Sequence, residues 1–178
     1  MGATYSRVQL RIEWSLLGQE GATWGGGAHM TSRTDDVVEI LLVEDNPGDV
    51  RLTKEALIQL SIETTTHVAI DGDEALQFLS RRNRSDTESL PDLVLLDLNL
   101  PRMGGLEVLE ALADESLPAR IPVVVLTSSD TTEDIVESYE LAANAYLTKP
   151  TDPAEYTEMV EALAHFWFEQ AALPPMSH

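Results

Sequence analysis

The sequence predicts an α/β fold, a doubly wound parallel sheet with helices on both faces that make it a three-layer sandwich. Three observations point there. From residue 37 onward, short apolar runs alternate with amphipathic stretches five times over, without an internal sequence repeat. Alternation of this kind implies right-handed crossovers between parallel strands. The runs are nearly continuous in apolar residues, the pattern of strands covered on both faces. Four of them also stop on polar residues: Glu44-Asp45 after Ile40-Leu41-Leu42-Val43, Asp97 after Leu93-Val94-Leu95-Leu96, Thr127-Ser128 after Val123-Val124-Val125-Leu126, and Lys149-Pro150 after Ala145-Tyr146-Leu147-Thr148. In an open parallel sheet these endings converge at the carboxyl end of the strands, where such sheets place their chemistry.

The elements follow in order. A strand is expected over 37–43, and Asn46-Pro47 after it suits a helix start, with Asn as cap and Pro in the first helical position. Val50, Leu57 and Leu60 give the apolar side of a helix over 49–60. A second strand covers 64–70, and Asp71-Gly72-Asp73 reads as a turn into a helix over 73–82. After a polar loop over 84–91 come a strand over 93–97, a turn at Pro101, Gly104 and Gly105, and a helix over 106–113. A fourth strand over 123–126 leads to a helix over 133–141, capped by Thr131 or Thr132, with Glu133 and Asp134 favourably placed in its first turn. A strand over 145–147 and a helix over 154–170 complete the set. On that last helix Tyr156, Met159, Val160, Leu163, Phe166 and Trp167 form one stripe against the sheet, while Phe168 projects away and marks a dimer or partner interface.

Composition bounds the function. A chain of 178 residues with 43% hydrophobic content supports one core of ordinary size. It has no apolar stretch near the length of a membrane span and no secretory leader, so a cytoplasmic protein is expected. No cysteine is present, which excludes disulfides, thiolate metal sites and cysteine nucleophiles. The formal charge is −20, and Arg7, Arg11, Glu13 and Glu20 cancel within the first 29 residues, so the excess lies on the remainder. Direct binding to nucleic acid is not expected on that ground, and the acidity reads as adaptation to a saline, halophilic cytoplasm where screening suppresses self-repulsion. Residues 1–34 read as a flexible extension: Val8, Leu10, Ile12 and Trp14 alternate as a strand would, but Gly25-Gly26-Gly27 follows, and Met30 resembles a natural start. No function is assigned to it.

The polar strand ends carry the chemistry. Glu44, Asp45 and Asp97 would repel one another unless a pKa rises or a cation is recruited. Mg²⁺, which takes hard oxygen ligands and keeps several waters, suits such a cradle. Thr127 and Lys149, aimed at the same end, supply a hydroxyl and an ammonium for phosphoryl oxygens. The histidines add no metal-ligand spacing: His67 lies in a strand, His165 in the last helix, and His29 and His178 near the termini.

Taken in order, Ile40-Leu41-Leu42-Val43-Glu44-Asp45-Asn46, Asp71-Gly72-Asp73-Glu74-Ala75-Leu76, Asp92 to Gly105, Val125-Leu126-Thr127-Ser128 and Lys149-Pro150 resemble the motifs of a response-regulator receiver domain, the CheY-like class, over about residues 37–170. The resemblance implies a flavodoxin-like (βα)5 fold with strand order 2-1-3-4-5 and a receiver domain over 35–172, followed by a tail over 173–178. It also implies roles. Asp97 would be the phosphoacceptor, with Glu44, Asp45, Asp97 and the Asn99 carbonyl holding Mg²⁺. Thr127 and Lys149 would bind the phosphoryl group, and the Lys149–Pro150 bond would be cis. Tyr146 would follow Thr127 inward as the switch.

Only residues 171–178 follow the last helix, too few for an output domain. A stand-alone response regulator of a two-component phosphorelay is therefore expected, similar to the small receivers of phytochrome-like sensor kinases. It would be phosphorylated by a sensor histidine kinase and would signal to a downstream protein target or a phosphotransfer protein, with a homodimer as a further partner. It would catalyse only its own phosphorylation and dephosphorylation. Two alternatives were weighed. A haloacid-dehalogenase-like phosphohydrolase needs a second aspartate two positions after the first, where this chain has Asn99. A phosphorylation-independent interaction module on the same fold usually lacks the acid pair, acceptor or lysine, all present here.

Overall fold

The computed structural model describes residues 37–60, 62–85, 88–114, 121–141 and 143–171. The chain divides into two units, Met1–Ser32 and Arg33–His178. The expected extension over 1–34, with His29, and the tail over 173–178, with His178, lie outside the described residues.

Among the described residues five strands and five α-helices alternate: β1 (Val38–Val43), α1 (Pro47–Ile58), β2 (Thr64–Ala69), α2 (Gly72–Asn83), β3 (Leu93–Leu96), α3 (Gly105–Asp114), β4 (Val123–Thr127), α4 (Thr132–Glu140), β5 (Ala145–Thr148) and α5 (Pro153–His165). All strands pair in parallel in the order β2-β1-β3-β4-β5. The expected fold class and strand order are therefore present.

The central strands are buried because each contributes to two cores at once. On one face Leu41, Val43, Val94, Leu96, Val123 and Val125 pack with Ala75, Leu79, Val108 and Leu109 from α2 and α3. On the other, Ile40, Leu42, Leu93, Leu95, Val124 and Leu126 pack with Ala56 and Leu57 of α1 and Tyr156, Val160 and Leu163 of α5. Successive strand residues alternate between these cores, so a slip of one position would exchange all contacts. Between α1 and α5 the buried Thr53 and Tyr156 hydroxyls share a 2.8 Å hydrogen bond, satisfying two polar groups that burial would otherwise penalise.

Local signals operate as the sequence predicts at the helix starts. The Asn46 side chain accepts from the Gly48 and Asp49 N–H groups, with Pro47 in the first turn. Asp71 caps α2 and Thr131, rather than Thr132, caps α4. The last helix departs from expectation. After His165 the chain widens into a π turn over Phe166–Gln170, closed by the Ala171 N–H donating to the Phe166 carbonyl. A π turn holds an extra residue, which shifts the phase of every side chain in it. Phe166, expected on the buried stripe, is exposed at the first position of this turn, while Phe168, expected to project outward, is half-buried against the α1/α5 core beside Trp167.

Two glycines let the loops around β3 close up. A Cβ on Gly105 would stand 2.3 Å from the Asp97 carbonyl oxygen and 2.7 Å from the Leu98 Cα, both backbone atoms that have no freedom to give. A Cβ on Gly72 would instead meet the side chains of Met103 and Val108, each at 2.6 Å. Gly105→Ala should therefore lower the unfolding free energy by about 1–3 kcal/mol, the ordinary range for overpacking. Gly72→Ala should also destabilise, but less, since side chains rather than backbone must give way, although the fully buried Val108 leaves little room; urea denaturation of both variants checks the order.

Candidate functional site

Strand register assembles the site. Val43 lies opposite Leu96, so the next residues, Glu44 and Asp97, leave the two central strands side by side. The Asp97 N–H donates to the Val43 carbonyl at 3.0 Å and the Glu44 N–H to the Ala69 carbonyl at 2.9 Å, extending the ladder to the acids themselves. Thr127 ends β4, and the Lys149 N–H donates to the Thr127 carbonyl at 2.7 Å, which fixes the start of the lysine side chain.

Lys149 is the centre of the arrangement. Its ammonium donates to Asp97 Oδ2 at 2.7 Å, to Asp49 Oδ2 at 2.9 Å, and to Glu44 Oε2. The Lys149, Glu44 and Asp97 side chains are 7%, 2% and 6% exposed, and Asp49 is 28% exposed. Buried charges persist only when paired in this way. Burial alone would lower the Lys149 pKa, but hydrogen bonds to Asp97, Glu44 and Asp49 together outweigh it and hold the ammonium above the ordinary lysine value. Burial raises the Glu44 pKa, and the Lys149 and Asn46 contacts pull it part of the way back.

The remaining polar groups are tied in around Asp97. Its Oδ1 accepts the Asn99 N–H at 3.0 Å. The Asn99 amide in turn donates to Thr127 Oγ1 at 3.2 Å and Ser128 Oγ at 3.4 Å, and the Ser129 N–H reaches Thr127 Oγ1 at 3.3 Å. Thr127 is fully buried, whereas Asn99 and Ser128 are exposed. Tyr146 is half-buried and its hydroxyl donates to the Ser129 carbonyl at 2.9 Å, linking β5 to the loop after Thr127.

Most sequence-expected residues thus come together, with three differences. Asp45 stays exposed at the rim while Glu44 turns inward. Among the described residues no three Asp, Glu or His side chains already converge as a metal-ligand set, because Lys149 stands between Glu44 and Asp97. The Lys149–Pro150 bond, expected cis, is trans, as no described peptide bond is cis. The trans isomer of an X–Pro bond is the lower by about 0.5–1 kcal/mol, and Lys149 reaches its carboxylates from it.

Sequence reasoning missed three contributors. The sequence marks Asp49 only as a helix start, gives the Asn99 side chain no donor role in the site, and gives Arg102 no role. Arg102 adopts a left-handed backbone (φ 65°) and pairs with Asp71, a carboxylate with no solvent exposure. The Gly72 N–H also donates to the Met103 carbonyl at 3.3 Å, so the loop after Asp97 is fastened to the start of α2.

The donor set fits a divalent cation. Three carboxylates contact one ammonium, and Asp45 adds a fourth acid at the rim, so the crevice retains uncompensated negative charge. Its atoms are hard oxygens, the ligands such a cation prefers. A parallel α/β sheet with acids, a hydroxyl and a lysine at the carboxyl end of its strands combines ligands for a cation with donors for anionic oxygens. Residues 40–161 match the response regulator receiver domain, and the chain belongs to that family.

The relatives narrow the setting. Response regulator Rcp1 of Synechocystis is 39% identical over 145 residues, spanning 82% of this chain and 99% of Rcp1. The crystal structure of the phosphorylated cyanobacterial phytochrome response regulator RcpA superposes with a TM-score of 0.74 at 39% identity, covering 79% of this chain and all of RcpA. The Mn²⁺-bound form of Rcp1 gives a TM-score of 0.72 at 40% identity, over 78% of this chain and 99% of that one.

Linkage gives a pH test. Because the folded-state pKa of Lys149 is raised, its contribution is fully present below the ordinary value of 10.5 and is lost as pH rises through the higher one. Lys149→Met should be less stable than the parent by about 3 kcal/mol at neutral pH. Urea denaturation across the alkaline range should show that gap narrowing above pH 10.5; a gap independent of pH would contradict this account.

Proposed function

We propose that Asp97 accepts a phosphoryl group from the phosphohistidine of a sensor histidine kinase. The observation that carries this reading is the nearly buried Asp97 carboxylate held at 2.7 Å from the Lys149 ammonium. In the transfer an Asp97 carboxylate oxygen attacks phosphorus as the P–N bond to the donor imidazole breaks, and an acyl phosphate forms on the aspartate. Lys149 donates to the incoming phosphoryl oxygens, and the Thr127 hydroxyl takes another once Asn99 releases it. Glu44, Asp45, Asp97 and the Asn99 carbonyl are the oxygens that would hold Mg²⁺, and the bound ion supplies positive charge to the transferring group. The protein works on no other substrate and catalyses only its own phosphorylation and hydrolysis.

The signal is read out by protein contact. Tyr146 would follow Thr127 as the switch, a reading supported by the bond of its hydroxyl to the Ser129 carbonyl in the loop after Thr127. Beside β5, α4 exposes Val136 (49%) and Tyr139 (53%), apolar surface suited to a downstream target, a phosphotransfer protein or a second copy. The phytochrome setting of RcpA supports a stand-alone role under a light-sensing kinase. Among the described residues no helix is long and apolar enough to cross a membrane, which agrees with action in the cytoplasm, and the −20 charge with a saline one.

Intact-mass analysis after incubation with acetyl phosphate and Mg²⁺ should show a gain of one phosphoryl group, abolished by chelator and by Asp97→Ala. A gain that survives in the variant would move the acceptor elsewhere. Thr127→Ala should still accept the group, but should no longer change the accessibility of the Tyr146 ring on phosphorylation, as read by tyrosine fluorescence quenching.

A further inference from the structure

Asp49 has no part in the acceptor chemistry described above, yet it makes one of the three contacts of the Lys149 ammonium. An ammonium has three N–H donors, and Glu44, Asp97 and Asp49 engage all of them. Two of the acceptors leave the ends of neighbouring strands and are almost wholly buried. The third comes from the first turn of α1 and is 28% exposed. Its position is fixed by the Asn46 side chain, which accepts the Gly48 N–H at 2.8 Å and the Asp49 N–H at 3.4 Å.

A lysine with every donor engaged cannot also bind a phosphoryl group; one carboxylate must let go. Without a cation beside it, release of Glu44 would strand a buried anion, at a large desolvation penalty. Asp97 cannot move away, because it carries the arriving group. Asp49, the most exposed of the three, exchanges the ammonium for water at the least cost, since part-exposed ion pairs are weak.

We propose that Asp49 is a positioning residue that holds Lys149 in the unphosphorylated state and releases it to the phosphoryl group, so that α1 restrains the acceptor site. The inference rests on the reading of Asp97 as phosphoacceptor. Asp49→Asn removes the restraint and should raise the rate of phosphoryl uptake from acetyl phosphate by about two- to fivefold, the range a part-exposed ion pair supports. Asp49→Glu, which restores the charge, should bring the rate back toward the parent's.

Two further measurements separate this role from structural or general charge effects. Glu55→Gln removes an α1 charge paired with Arg51 at 3.8 Å, away from Lys149, and should leave the rate unchanged. Proton exchange of the Lys149 ammonium, followed by ¹⁵N NMR without any phosphodonor, should quicken in Asp49→Asn and not in Glu55→Gln. An Asp49→Asn rate equal to or below the parent's overturns the proposal, as does equal acceleration by Glu55→Gln. A parent that takes up no phosphoryl group defeats the phosphoacceptor reading alone. The exchange comparison still decides whether Asp49 holds the ammonium, and unaltered exchange in Asp49→Asn overturns that claim.

Discussion

The ammonium of Lys149 is the charge on which the carboxyl end of this sheet depends. Glu44 and Asp97 leave adjacent strands and are buried side by side, an arrangement that two carboxylates cannot sustain alone. The lysine that balances them comes from beyond β5, across β4 in the sheet. Only a parallel sheet brings such distant segments out at the same end. Strand order and charge balance are therefore one constraint seen twice: the crossovers that bury Leu41, Leu95 and Val124 also deliver the acids and the base to a common crevice.

Scarcity sharpens the arrangement. The chain has 11 basic residues against 31 acidic ones, and it commits one of the few to a nearly buried position among three carboxylates. A phosphodonor is itself an anion approaching an anionic protein, so long-range attraction does not bring it in. Local positive charge at the crevice, from Lys149 and from a bound divalent cation, must supply what the surface does not. At molar salt the screening length falls to about 3 Å, so a saline medium would suppress repulsion between surface charges while leaving the buried contacts almost untouched.

Much of this was legible in the sequence because it is written in local patterns. Apolar runs ending on Asp97, Thr127 and Lys149 announce strands that terminate at a site, and Asn46-Pro47 and Asp71-Gly72 announce helix starts through backbone chemistry that needs no distant partner. What was not legible depends on geometry between distant segments. Asp49 meets Lys149 across 100 positions of chain, and nothing nearby distinguishes it from any acidic residue in a first helical turn. Phe168, expected outside, is half-buried because the period of 3.6 does not hold past Phe166, where the backbone widens. The bond before Pro150, for which the family resemblance implies the cis isomer, is trans in the structure.

Asn46 joins two of these features. Its N–H donates to Glu44 Oε1 at 3.0 Å while its side chain sets the first turn of α1, which carries Asp49. The segment between strand and helix consequently has no slack. One inserted residue would rotate the helix by about 100° relative to the strand end, turning the Asp49 side chain away from the lysine. Among relatives of this chain, the length of that short connection should thus vary far less than the polar loop between α2 and β3, and drift in sequence should proceed by substitution there rather than by insertion.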